Sequence, residues 1–205
     1  MLKIIGRSTS ANVQKVLWLC DEIGLPYERE DAGLHFGRTR DPDYIAMNPN
    51  STVPTIIDDG FVLWESNSIV RYLAAKHKSD LYPSDPKERA SAERWMDWQL
   101  AVFGPAHTAV FQGLIRTKPE DRDMKAIEAG RDRWSKAVAI VDTYLGKTAY
   151  LAGPRFTVGD IPVGVMIYRW FNLDIKREDY PHARRWYDAL TKRPAYQKHI
   201  MITMS

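Results

Sequence analysis

The amino-acid sequence predicts an α/β domain over residues 1–78 and an all-α domain over 88–205, joined by a linker at 79–87. Three observations carry this. Short apolar runs alternate with helical periodicity only in the first part of the chain. The segment Lys78-Ser-Asp-Leu-Tyr-Pro-Ser-Asp-Pro-Lys87 holds two prolines and few apolar residues, as a connector does. After it strand signals almost vanish, and helical patterns follow one another to the end.

Leu2 to Ile5 reads as a short buried strand. Val13, Val16, Leu17, Cys20 and Ile23 repeat at helical spacing, and Gly24 with Pro26 ends that helix. A second strand is expected near Tyr27. Gly33 to Asp43 is polar and turn-rich and reads as a loop, with a short helix over 42–47. Val53-Pro54 opens a third strand, Asp59-Gly60 is a hairpin signal, and a helix follows from about Glu65 to His77. The order strand, helix, strand, helix, strand, strand, helix is the thioredoxin-like arrangement. Beyond the linker, helices are expected at about 88–116, 121–146, 159–174, 180–192 and 194–201. Gly104-Pro105 should kink the first, because proline removes a backbone bond. Thr157-Val-Gly-Asp160 reads as a structural capping box, each residue satisfying the other's free N–H.

Composition narrows the function. The chain has 205 residues, 44% hydrophobic and 27% charged, as soluble globular proteins do. No apolar run is long enough to span a bilayer, and Met1-Leu-Lys-Ile-Ile lacks the apolar stretch of a signal peptide, so cytoplasm is expected. The net charge of +3 is mild, and the basic residues near the C-terminus read as a solvated helical face rather than a nucleic-acid surface. A lone cysteine, Cys20, excludes an internal disulfide and falls on an apolar helix face, which suits an inert buried thiol. There is no Gly-rich phosphate loop, no Cys-x-x-Cys and no His-Glu-x-x-His, and the five histidines are scattered, so no metal is expected.

Two segments carry chemistry. In Ser51-Thr-Val-Pro-Thr, a proline at a strand start has no N–H to give to the ladder. If its peptide bond is cis, the preceding backbone turns outward and can pair with a bound peptide. Ser66, at a helix N-terminus, offers a hydroxyl and backbone N–H groups to a carboxylate. Together these suit a small, extended, anionic peptide. Gly6-Arg-Ser-Thr-Ser-Ala-Asn-Val13 then leads from the first strand into the first helix, whose N-terminus also favours an anion. Ser8, Thr9 and Ser10 compete to supply a hydroxyl there. A free thiol with a pKa of about 8.5 would lose its proton more easily at such a place.

The first half resembles the glutathione-binding half of the cytosolic glutathione transferases, which carry Val-Pro on the third strand and Glu-Ser at the start of the third helix. The likeness continues through the Thr-x-x-Asp box. Ser10-Ala-Asn-Val-Gln-Lys15 resembles the Ser-x-Asn-Val-Thr-Arg pattern of the phi class and the Ser-x-Pro-Cys-Arg-Ser pattern of the theta class. Both place a catalytic serine at Ser10. Nu-class relatives, with Thr-Pro-Asn there, make Asn12 the second choice. Serine at position 10, where the beta class has cysteine, excludes mixed-disulfide chemistry through that residue.

The resemblance implies glutathione as co-substrate. Val53, before Pro54, would pair with its cysteinyl backbone. Glu65 would meet its ammonium and Ser66 its γ-glutamyl carboxylate. Relatives read Asn-Pro-x-Gly-Lys/Arg-Val-Pro where this chain has Asn48-Pro-Asn-Ser-Thr52-Val-Pro, so the usual cation for the glycyl carboxylate is missing. Thr52, Arg38 or Arg40 would replace it. The electrophile site would lie between the domains, with Phe103, His107, Phe111 and Tyr168 as candidates. The implied protein is a homodimeric, theta- or phi-like bacterial detoxification enzyme that conjugates the glutathione thiolate to small hydrophobic electrophiles. A glutathione-dependent disulfide or peroxide reductase and a non-catalytic binding module stay open as alternatives.

Overall fold

The computed structural model describes residues 1–204. Its first part runs β1 (Leu2–Ile5), α1 (Ala11–Glu22), β2 (Tyr27–Glu30), α2 (Pro42–Met47), β3 (Thr55–Asp58), β4 (Phe61–Trp64) and α3 (Ser66–Lys76). The four strands form one mixed sheet in the order β2-β1-β3-β4. β1 pairs parallel to β2, with Leu2 opposite Tyr27, and antiparallel to β3, with Ile4 opposite Ile56. Asp59 and Gly60 turn β3 into β4 with φ of 51° and 89°, the doubly left-handed geometry that a two-residue hairpin favours.

Helix α1 is the hub. The spacing predicts one apolar face, yet the structure buries Gln14, Lys15, Trp18 and Leu19 as well as Val13, Val16, Leu17 and Cys20. The reason is tertiary: α1 contacts α3 on one side and α7 and α9 on the other. From Val13 to Cys20 every residue is buried, so that stretch has no solvent face for its polar residues.

The second part holds α4 (Pro86–Trp98), α5 (Gly104–Phe111), α6 (Met124–Leu145), α7 (Asp160–Asn172), α8 (Pro181–Leu190) and α9 (Pro194–His199). Asp85 caps α4 by accepting from the N–H groups of Lys87 (2.9 Å) and Glu88 (3.0 Å). The site of the expected kink at Gly104-Pro105 is preceded by a change of helix type. The chain stays right-handed helical through Gln99 and Gly104 and widens into a π turn over Gln99–Phe103. The wider turn absorbs the missing N–H and ring bulk of Pro105 without ending the helix. A second π turn spans Gln112–Arg116.

The Thr157–Asp160 box forms, with one change of partner. Asp160 accepts from the Thr157 N–H (2.9 Å), as expected, but the Thr157 hydroxyl takes the Gly159 N–H (3.2 Å) instead of that of Asp160. One contiguous core joins both parts. Trp18 of α1 packs edge-on to Tyr196 of α9 at 4.8 Å between centroids, and Trp134, Trp170 and Trp186 are fully buried in the same core. No helix among the described residues is long and apolar enough to cross a membrane.

Candidate active site

The loop from β1 into α1 is drawn tight against the β3 side by Gly6. A Cβ there would stand 2.5 Å from Val13 Cγ2 and 3.1 Å from Val53 Cβ. This contact holds the loop at Gly6 against Val53, whose peptide bond to Pro54 is cis. The Thr52 carbonyl is pinned under the turn by the Tyr44 hydroxyl (2.6 Å) and Asn48 Nδ2 (2.9 Å).

Ser10 is the N-cap residue of α1, with φ −76° and ψ 123°, yet its side chain makes no capping bond to the helix. Its hydroxyl is therefore not consumed by the cap, the ordinary use of such a serine. Asn12 is exposed and accepts a bond from the Ser66 hydroxyl (3.4 Å). Ser66 is buried and starts α3, while Glu65 before it is exposed with φ 73°. Ser10 and Asn12 thus line one cavity, and Ser66, which does not line it, joins them through Asn12.

The sequence reading missed Lys15. Its ammonium is fully buried beneath Ser66 and donates to Ser66 Oγ (3.3 Å), Asn67 Oδ1 (3.2 Å) and Gln99 Oε1 (2.8 Å). It thereby ties α1, α3 and the π turn of the helical part together. Burial pushes its pKa down to about 7; Glu65 opposes this and Arg169 adds to it. One signal was available: Lys15 stands where the phi-class pattern ends in arginine.

A stability prediction follows from Lys15. An unfolded lysine titrates near 10.4. Between pH 7 and that value the unfolded chain binds more protons at this site, so stability rises with pH there and is flat below. The native protein is expected to gain up to about 1 kcal/mol per pH unit from this residue between pH 7 and 8.5, and Lys15→Met to lose that gain. Urea unfolding of both proteins at the two pH values measures the difference. Equal slopes would show that the ammonium is not held in a dry site.

Next to Ser10 and Asn12 opens a cavity of about 670 Å³, walled on the far side by α5, its flanking π turns and α7. Phe111 and His107, two of the four candidates for the electrophile site, line it. His107 is chemically committed: Arg169 Nη1 donates to its Nε2 (3.1 Å), and its Nδ1–H goes to the Gly104 carbonyl (2.8 Å). Burial, with the Arg169 charge, pushes it down to about 4, so the ring is neutral at pH 7 and takes up no second proton there.

Phe103 and Tyr168 lie elsewhere. Phe103 is fully buried between Trp98 and Trp134, with its ring 5.3 Å and 6.4 Å from theirs. Tyr168 is half-buried and its hydroxyl meets the Ile202 carbonyl (3.5 Å). Successive helical residues point about 100° apart, so α7 offers the cavity Met166 and Arg169, which share a face, and turns Tyr168 away. Arg38 is held by Glu30 (3.0 Å) and Asp43 (2.6 Å), whereas Arg40 is exposed; neither lines the cavity. Cys20 is buried and burial pushes its thiol up to about 12, which keeps it inert.

Comparison with known proteins decides the family. Residues 9–76 match the family model "Glutathione S-transferase, N-terminal domain" and residues 124–189 match "Glutathione S-transferase, C-terminal domain". The chain belongs to the glutathione S-transferase family. It is 44% identical to glutathione S-transferase GstB of Escherichia coli strain K12 over the full length of both proteins. It is 31% identical to glutathione S-transferase 3 of Zea mays over 97% of this chain and 93% of that one. Among solved structures, the theta class glutathione S-transferase of Xanthomonas axonopodis pv. citri with glutathione bound superposes with a TM-score of 0.97 at 44% identity, covering 100% of this chain and 99% of that one. This transferase thus has the family's small mixed sheet followed by the family's helical domain. Among its described residues, no group of three or more His, Cys, Asp and Glu side chains could hold a metal ion.

Proposed function

We propose that the cleft holds glutathione with its sulfur at Ser10 and presents the thiolate to a small electrophile in the adjoining cavity. The carrying observation is the Ser10 hydroxyl: it stands at the N-terminus of α1, lines the cavity and is not used as a cap. In this reading Val53, beside Pro54, pairs with the cysteinyl backbone. Glu65 takes the ammonium, and Ser66, backed by Lys15, takes the γ-glutamyl carboxylate. Thr52 and Arg40 serve the glycyl end, because the ion pairs of Arg38 withdraw it.

The chemistry is thiol activation. A hydroxyl donor and the positive end of a helix both favour the charged sulfur, and each pH unit by which the thiol is lowered corresponds to about 1.4 kcal/mol. The thiol proton leaves to solvent and sulfur attacks carbon. His107 takes no proton in this scheme, since both its nitrogens are engaged. The apolar part of an electrophile would rest against Phe111, Pro105 and Met166. The family resemblance supports domains at 1–78 and 88–205 with a linker at 79–87. It also supports a homodimer and a cytoplasmic role in detoxification of small hydrophobic electrophiles.

The test is a titration of bound glutathione by its thiolate ultraviolet absorbance, paired with turnover of an aryl halide and of a disulfide. The thiol is expected to titrate at about pH 6.5, roughly two units below its free value, with the aryl halide consumed. Glutathione bound with an unaltered thiol would leave a binding module. Turnover of the disulfide alone would make the protein a reductase.

A further inference from the structure

The cavity beside Ser10 is lined by three arginines, Arg7, Arg116 and Arg169, and by no aspartate or glutamate. Arg169 is buried on α7, with its guanidinium 3.9 Å from the Phe111 ring centroid and one bond to neutral His107. Arg116 lies over the same ring at 5.6 Å. Arg7 comes from the β1–α1 loop; its Nη1 would stand 3.0 Å from a Cβ at Gly33, and its buried Nε has no hydrogen-bond partner. Among the described residues no ion pair joins Arg7 or Arg169 to a carboxylate. By contrast Arg38, Arg71, Arg131 and Arg193, elsewhere in the chain, each meet acidic partners.

We infer that the electrophile taken by this cavity carries a carboxylate, which Arg169 and Arg7, with Arg116 at the rim, hold while its reacting carbon faces the sulfur at Ser10. This rests on the proposed glutathione site and narrows its second substrate. Three guanidiniums facing one space repel one another, and two are partly or wholly removed from water. The arrangement disfavours their charges: Arg7 is lowered by burial and by Arg116, and Arg169 is lowered to about 10 by burial, Arg116 and Arg7. An anion relieves that repulsion and offers carboxylate oxygens to Arg169 and to Arg7, whose buried Nε has no partner. Glutathione's own γ-glutamyl carboxylate is assigned to Ser66 over Lys15, so it does not account for α7.

The substrate class is therefore an acid whose carbon bears a leaving group such as a halide. The thiolate sulfur supplies the electron pair of the new C–S bond. The C–halogen bond breaks and its pair departs with the halide. The thiol proton has already gone to solvent, and no oxidant or reductant takes part. A neutral apolar electrophile would fit the Phe111 side of the cavity and bring no countercharge to Arg7 and Arg169.

The test compares binding of S-methylglutathione with binding of S-(ω-carboxyalkyl)glutathiones of one to four methylenes and their primary amides, by calorimetry on the full chain. At least one acid is expected to bind about ten-fold or more tightly than its own amide, the size of a charge-assisted bond. In Arg169→Met and in Arg7→Met that acid-to-amide ratio is expected to fall toward one, and in Arg169→Lys to fall less. If S-methylglutathione binds while acids and amides are equal at every length, the inference is overturned and the glutathione site stands. If the variants weaken S-methylglutathione as much as the acids, the arginines serve glutathione or the fold, and the inference is again overturned. If S-methylglutathione does not bind the native chain, the glutathione site itself is wrong and the inference falls with it.

Discussion

Ser10→Ala is expected to slow conjugation about 10- to 100-fold at pH 6.5, with the deficit closing as pH rises toward the free thiol's value near 8.5. A hydrogen bond to a charged group contributes about 1.5–3 kcal/mol. On a thiolate that is one to two pH units of acidity, so below the free pKa the variant holds roughly a tenth to a hundredth of the ionised sulfur. At high pH both proteins carry the thiolate and the rates converge. The fold should not change, because the side chain makes no capping bond that alanine would remove. The midpoint of thermal unfolding is therefore expected to move by no more than about 2 °C. The measurements are kcat/KM against pH and the thiolate titration of bound glutathione. An unchanged titration in Ser10→Ala would assign activation to Asn12 or to the N–H groups of α1, since both stay in place.

Asp160→Ala is expected to cost about 3–5 kcal/mol of folding stability and to lower the unfolding midpoint by roughly 10 °C. The Asp160 carboxylate is fully buried. One oxygen accepts from the Leu151 N–H (2.9 Å) and the Trp186 indole (3.0 Å), the other from the Thr157 N–H (2.9 Å) and hydroxyl (3.4 Å). Alanine would strand two backbone donors and an indole N–H in the core, each at about 1–3 kcal/mol. It would also release the 151–157 segment from α7 and α8. The pH dependence has a definite sign. Burial pushes the carboxyl up to about 6 while its four donors pull the other way. The folded state therefore binds more protons than the unfolded one between about 4 and 6, and the Asp160 contribution falls as pH rises through that window. Asp160→Asn should keep most of the shape and abolish this slope. Urea unfolding at pH 4.5 and 7 measures both; a loss below about 1 kcal/mol in Asp160→Ala would mean the segment is held by packing alone.

Much of the candidate site was legible because its parts are local signals. Pro54, Asp59-Gly60 and Glu65-Ser66 each report a backbone requirement within a few residues, and the observed strands and helices begin and end beside them. Ser10 was legible for the same reason, as a hydroxyl at a strand-to-helix junction. The electrophile side was less so. Of the candidates Phe103, His107, Phe111 and Tyr168, only His107 and Phe111 line the cavity. Which residue of α7 faces the space depends on the rotation of that helix against α1 and the π turn, and no short window of sequence records it.

Element order, the mixed composition of the two halves, the turn residues and the absence of metal-ligand spacing were set by residues near one another in the chain, where propensity and periodicity act. Burial of charge was set by assembly. Lys15 looks like a surface lysine until α3 and the π turn close over it, and Arg169 looks like a helix-end cation until it lies on Phe111 beside His107. A cation's solvation and its neighbours' charges arise from contacts across 51 to 84 residues at Lys15 and 62 at Arg169. Such long-range contacts have no period to read, so the electrostatics of the cleft appear only once the chain is folded.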